Sequence, residues 1–348
     1  LKNISLLFLV AAGFMLLFSD CKCNKSRKQI DVSNIDITVK VQRFDRDFFS
    51  ITNDNYDSKV AELQHQYGDF YSFYVNDLMG GFKNTQQQST TEKEAILNFL
   101  NDTAIVGLRD SVQKAYPELN DVEKGLQDAF KHIKYYFPEL PQPRVISMIS
   151  EFSYGAVTYD TATLAVSLDM FLTEKYPVYN YLEIPKYIQR KLTRDYIVPN
   201  AVDVLYNLYF GEDVYEPGTP LLEAMVDKGK KLYFMEMMLP EMADSMLIGY
   251  TSEQIRWCKL SEYAVWQYMN EKDLIFTQSF MEHKRYLTDG PTTSGMPSES
   301  PGNLGSWIGW QMVRKFMNDA DGKVSLKDLL TKYDNKTIAA KANYRPKK

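Results

Sequence analysis

Apolar residues recur at three- and four-residue spacing through Val60, Leu63, Tyr67, Phe70, Tyr74 and Leu78. That spacing predicts one amphipathic helix, closed by Gly80-Gly81. A polar loop, Lys83 to Thr91, leads to a second helix from Glu92 to Tyr116, stopped near Pro117. A third runs from about Asn120 to Phe137 with Val122, Leu126, Phe130, Ile133 and Phe137 inward, and Pro138, Pro141 and Pro143 end it. Upstream, Ile30 to Phe49 contains the alternating stretch IDITVKV, which predicts a strand. From Arg144 to Leu172 the pattern changes to two or three strands, with turns at Tyr154-Gly155 and Asp160. Helices then dominate. One covers Lys186 to Val198 and is interrupted or restarted at Pro199, and another covers Pro220 to Met238. Thr251-Ser-Glu-Gln254 forms a capping-box pattern opening a helix to about Met269. An exposed loop, Thr288 to Gly305, rich in Pro, Ser, Gly and Thr, precedes a last long helix with Trp307, Ile308, Met312, Val313 and Phe316 on its apolar side. A small β-sheet among many helices is an α+β class, mostly helical.

The first residues concern compartment. After Lys2, the run Ile4 to Phe18 carries no charge and only Ser5 as a polar residue. A bilayer-spanning helix needs about 20 apolar residues, so this run suits the core of a signal peptide better than an anchor. Cys21 follows directly, where a lipoprotein signal peptidase would cut and the thiol would take the lipid. Phe18 and Asp20 relax the usual box, in a way that resembles Bacteroidetes lipoproteins. Lys22, Lys25, Arg27 and Lys28 then make a polar stalk. The expected organisation is a signal peptide over 1–20, a lipidated stalk over 21–29 and a single α+β domain over 30–348.

Composition narrows the partners. Hydrophobic residues make up 45% and charged residues 24%, ordinary for a globular chain, and the net charge of −5 disfavours nucleic acid. Cys21, Cys23 and Cys258 are the three cysteines, too few for a disulfide framework. The lipid bilayer is the expected partner through Cys21. No acidic export signal follows that cysteine, which places the domain on the periplasmic face, on the outer membrane.

The search for chemistry is mostly negative. Among the three histidines, His65 and His132 read as solvent-facing on helices, and His283 as structural or exposed. No H-E-x-x-H or C-x-x-C is present, so no local zinc site is expected and no cofactor either. G-x-S-x-G is missing around Ser300, Ser111 and Lys114 form an isolated S-x-x-K, and Gly229-Lys230 lacks a phosphate loop. Asn318 to Gly322 suggests a calcium loop, but alignment on Gly322 puts Met317 at the first ligand position and Asp328 at the last, so it reads as a helix-ending turn. Asp169, Glu183, Asp195 and Glu262 lie in or beside apolar segments and are the candidates for a general acid and base.

Several segments together resemble the GldB family of gliding-motility lipoproteins of Bacteroidetes. Besides the lipobox they are LAVSLDMFLTEKYPVYN (164–180), IPKYIQRKLTRDYIVP (184–199), TPLLEAMVDKGKKLYFMEMMLP (219–240), the stretch 248–276 and the stretch 289–317. The resemblance implies a role in gliding and its associated secretion machinery, with other envelope proteins as partners. A fainter likeness is to predicted zinc peptidases, carried by PGNLGSWIG (301–309). It implies a zincin-like fold in which Arg194, Asp195, Val198 and Lys228 stand where metal-site residues belong, so that the metal site is lost. Two functions follow: a non-catalytic tethered component acting by protein–protein contact, or an envelope hydrolase (peptidase or glycosidase) with a site assembled from distant residues.

Overall fold

Strands β2 (Arg144–Met148) and β4 (Thr163–Ser167) are almost wholly buried and pair in parallel at the centre of a four-stranded sheet of order β1-β2-β4-β3. β1 is only Val41–Gln42, parallel to β2, and β3 (Ala156–Asp160) closes an antiparallel hairpin with β4. The structure, a computed structural model, describes residues 30–79, 91–211 and 217–348. The apolar run, Cys21, Cys23, the stalk and Gly80-Gly81 lie outside them. The described residues from Ile35 to Lys348 form one compact unit.

Side chains alternate across a strand, so the central pair feeds two cores. Val145, Leu164 and Val166 join the larger cluster, with most of the helices. Ile146, Met148 and Ala165 join a smaller, aromatic one built on Phe44, Phe48, Tyr67, Phe70 and Tyr74. Helices therefore cover both sheet faces, and the α+β class, mostly helical, is what the chain adopts.

The helices on the N-terminal side are α1 (Phe44–Asp47), α2 (Tyr56–Tyr67), α3 (Asp69–Phe73), α4 (Glu92–Asn101), α5 (Thr103–Ala115) and α6 (Asn120–Tyr136). Two expected continuous helices are broken. Gly68, at φ +58°, separates α2 from α3, and the chain continues as a π turn over Tyr74–Leu78. Asp102 separates α4 from α5 and caps the latter, accepting from the Ala104 and Ile105 amides at 2.8 and 3.2 Å. The predicted strand IDITVKV shrinks to β1 because α6 takes the next strand's place. Glu123 and Gln127 accept from the backbone amides of Val41 and Val39 at 3.0 and 3.4 Å.

After the sheet come α7 (Pro177–Tyr181), α8 (Lys186–Gln189), α9 (Ile197–Phe210), α10 (Leu221–Met238), α11 (Asp244–Ile248), α12 (Ser252–Glu271), α13 (Phe280–Leu287), α14 (Leu304–Asp319), α15 (Leu326–Thr331) and α16 (Asn335–Ala342). The expected helix Lys186 to Val198 is thus two pieces. Pro199 lies in the first turn of α9, the one place in a helix where its missing N–H costs nothing. The capping box at Thr251 and Gln254 forms, with the reciprocal bonds at 3.1 and 2.9 Å. No helix among the described residues is long and apolar enough to cross a membrane.

The central contact of the larger core is between α10 and α14. Their backbones touch at glycines: a Cβ on Gly309 would stand 1.7 Å from the Met225 carbonyl oxygen, and one on Gly229 would stand 2.3 Å from that of Gly309. Gly302 is confined against the Gly290 backbone at 2.3 Å, and Gly305, less tightly, against Tyr286 and Leu287 at 2.9 Å. The glycines of PGNLGSWIG are therefore packing requirements. They also anchor the end of the 288–305 loop. Thr293, Ser300, Pro301 and Gly302 are buried, so only part of that expected exposed loop faces water.

Candidate functional site

The four candidate acids stay apart, and no hydrogen bond or ion pair joins any two of them. Asp169 is fully buried beneath the turn after β2 and accepts from the Ser150 and Phe152 amides at 3.0 and 2.7 Å. Glu262 accepts from the Tyr344 hydroxyl at 2.5 Å, and burial raises its pKa. Glu183 and Asp195 are exposed.

Burial pushes the Asp169 carboxyl up from 3.8 to about 6, against the two amides that favour its charged form. A carboxyl that holds its proton more tightly folded than unfolded makes stability rise as pH falls from about 6 to about 4. Denaturant melts of Asp169→Asn should lack that rise and should show a loss of about 1–2 kcal/mol at pH 7, where one backbone amide is left without its acceptor. Identical pH profiles for variant and wild type would contradict this assignment.

The histidines divide. His65 is exposed, as expected for a solvent-facing residue. His132, expected to face solvent, is buried instead on the inward face of α6, where its ring bonds the Asp128 carbonyl at 2.8 Å; His283 is buried on α13, in keeping with the structural alternative. Cys258 is a buried free thiol whose pKa burial pushes up, which makes it inert. Lys230, beside Gly229, sits mid-helix on α10 with its ammonium on the Tyr333 carbonyl at 2.7 Å. Asn318 to Gly322 closes α14 in a turn with Asp321 and Gly322 at positive φ. Among the described residues no three His, Cys, Asp or Glu side chains group as a metal site.

The positions singled out by the zinc-peptidase likeness have separate neighbours. Arg194 and Asp195 lie in a 3-10 turn (Arg194–Tyr196) ahead of α9, so only Val198 of that trio is on the helix. The Arg194 guanidinium holds Asp121 at 2.7 and 2.5 Å and the Glu118 carbonyl at 2.7 Å, and it lies over the Tyr116 ring. Val198 packs on Gly125, where a Cβ would come within 2.8 Å of its methyl. Lys228 lines a cleft that Asp203 of α9 also borders.

That cleft is a two-part concavity. Two adjoining chambers of about 370 and 170 Å³ share Lys191, Asp203, Met235, Leu247, Ile248 and Asp289 in their walls. The larger is floored by apolar side chains, among them Phe171, Ile188 and Leu192, with Asn200 beside them. The Asn200 Oδ1 is buried and accepts no hydrogen bond among the described residues. The smaller chamber adds Lys228, Lys231, Asn303 and Ser306. Lys231 is buried, pairs with Asp203 at 2.8 Å and donates to Asn207 at 3.0 Å. Lys191 pairs with Asp289 across the mouth, and Asn303 donates to Asp289 at 3.4 Å. Asn303 adopts φ +59° immediately before α14, so that helix begins at the chamber wall.

Apart from Lys228, Asn303 and Ser306, which fall in the segments of the zinc-peptidase likeness, the cleft residues belong to no motif read from the sequence. They come from segments far apart in the chain, and a local signal among them is Lys228 and Lys231, three apart on α10. No curated protein and no solved structure matches the chain. A family model described as gliding motility protein GldB, a lipoprotein family, does match, over residues 25–346. With the match spanning the sheet, both cores and the cleft, the chain belongs to the GldB family of gliding motility proteins.

Proposed function

We propose that this protein serves the gliding machinery as a lipid-tethered, non-catalytic domain that acts by contact with other envelope proteins. In this reading residues 1–20 are removed as a signal peptide, Cys21 carries the lipid, 21–29 form the stalk, and the domain over 30–348 faces the periplasm from the outer membrane. The observation that carries it is the isolation of the candidate acids: Asp169 is held by backbone amides, Glu262 by Tyr344, and Glu183 and Asp195 stand alone in solvent. A carboxylate pair serving as general acid and base must converge on one substrate, and these four do not. A contact surface distributes its energy over many residues, with a few anchors dominant, and a tether raises the local concentration of that surface.

The test is complementation of a gliding-defective deletion strain. Glu183→Gln, Asp195→Asn and Glu262→Gln are expected to restore motility at normal abundance, whereas Cys21→Ser is expected to lose most of it together with fatty-acid labelling. An abundant, stable acid variant with no motility would refute the contact mechanism. Undiminished label and motility in Cys21→Ser would refute the tether.

A further inference from the structure

We propose that the outer edge of β3 pairs with the same edge of a second copy of this chain, antiparallel about a two-fold axis at Val157. β3 is the last strand of the sheet, and β4 is its strand neighbour among the described residues. The Ser167 amide donates to the Gly155 carbonyl at 2.9 Å, which makes Gly155 and Ser167 a hydrogen-bonded pair. Such pairs alternate along an antiparallel ladder, so Val157 is bonded to β4 as well, and Ala156 and Thr158 turn their N–H and C=O groups outward. No backbone hydrogen bond from another described segment reaches that row. The strand also lacks the usual protection of an edge: Gly155 to Thr158 contains no charge and no proline. A bulge lies after Thr158 and Asp160 follows it, so the open row is confined to Ala156 and Thr158.

Register selects the occupant. With the axis at Val157, Ala156 of each copy faces Thr158 of the other, and each such pair exchanges both of its N–H···O bonds. With the axis at Ala156, Thr158 would face Tyr154, whose N–H and C=O are both taken by the Ser150 hydroxyl, at 3.2 and 3.3 Å. With the axis at Thr158, Ala156 would face Asp160, beyond the bulge. The short row is therefore satisfied in full by its own copy, and an isologous pair closes at two chains. The exposed aromatics fit the same register. Tyr154 and Tyr159, 43% and 37% exposed, flank the row at its two ends. Tyr159, in ring contact with Phe73, comes across from the bare Gly155 of the other copy, and Tyr154 comes across from its Asp160, a hydroxyl donor facing a carboxylate. Paired five-residue strands bury little area, so the dimer is a weak one. It is separate from the contacts with other envelope proteins proposed above, and its test needs no motility.

The experiment is oxidative cross-linking of the purified full-length protein in detergent, in a Cys23→Ser background that also serves as the blank. Two Val157→Cys chains meet at the axis as a non-hydrogen-bonded pair with Cα atoms about 4.5 Å apart, within disulfide reach. Two Tyr159→Cys chains stand about 14 Å apart in the same register and cannot bridge. Val157→Cys is expected to cross-link at least tenfold faster than Tyr159→Cys, and adding Thr158→Pro should slow it at least tenfold. The Thr158 N–H points away from β4, so proline there removes a bond between copies and none within the sheet. Equal rates at 157 and 159, or no dimer above the blank, would overturn the pairing. So would a Val157→Cys chain that links in intact envelopes to a different protein and never to itself. Should Thr158→Pro fold poorly, the ratio of the two cysteine variants still decides.

Discussion

Gly309→Ala is expected to cost at least about 3 kcal/mol, at or beyond the upper end of ordinary overpacking penalties. The methyl would stand 1.7 Å from the Met225 carbonyl oxygen and 2.3 Å from its carbon. Both are backbone atoms of α10, so no rotamer change relieves the overlap, and two helices that anchor the larger core must separate. Gly229→Ala probes the same crossing from the other side, its Cβ 2.3 Å from the Gly309 oxygen. Gly107 is the control. It lies within α5 with nothing within 4 Å of an added Cβ, so Gly107→Ala should stabilise by about 0.4–1 kcal/mol through the unfolded chain. Urea melts of the three variants give the comparison. A Gly309→Ala protein as stable as wild type would mean that α10 and α14 do not cross at these glycines.

Arg314→Met is expected to cost about 3–5 kcal/mol, the range for removing one partner of a buried ion pair. The Arg314 guanidinium bonds Glu236 at 2.8 Å and Asp244 at 3.0 and 2.8 Å, and it stacks on Trp310 at 3.8 Å from the ring centre. The Trp310 Nε1 also donates to Glu236, at 2.8 Å. Without the guanidinium, the Glu236 carboxylate stays in the core with its main counter-charge gone. Removing both ends should hurt less than the sum, so Arg314→Met with Glu236→Met should recover part of the loss. Strict additivity in thermal or urea melts would show that the pair is not coupled.

Much of the fold was legible along the chain, and the exceptions are instructive. The inward residues of α6, the apolar side of α14, the three strands between Arg144 and Ser167 and the capping box at Thr251 all stand where periodicity and cap chemistry put them. The helices broken at Gly68 and Asp102 were misread because periodicity reports a shared buried face. Val60, Leu63, Tyr67, Phe70 and Tyr74 do share one core cluster, on either side of a chain break that the apolar pattern does not register. Asp102 carried a local signal, a good N-cap residue directly before Thr103, that a continuous apolar face outweighed.

What the sequence by itself determined is the short-range chemistry: which residues turn inward, where caps and prolines punctuate helices, the α+β class, and membership of the GldB family, since these depend on neighbours a few positions apart or on the pattern of the whole chain. What only the tertiary structure decided is which side chains meet. Lys191, Asp203, Lys231, Asp289 and Asn303 line one cleft though they span more than a hundred positions, and Asp169 is tied to the Ser150 and Phe152 amides across the sheet turn. Gly302, expected in the loop, and Gly309, expected in the last helix, are contact points between backbones. Such proximities arise from the packing of helices against one another and against the sheet. They depend on interhelical distance and crossing, which no local spacing encodes.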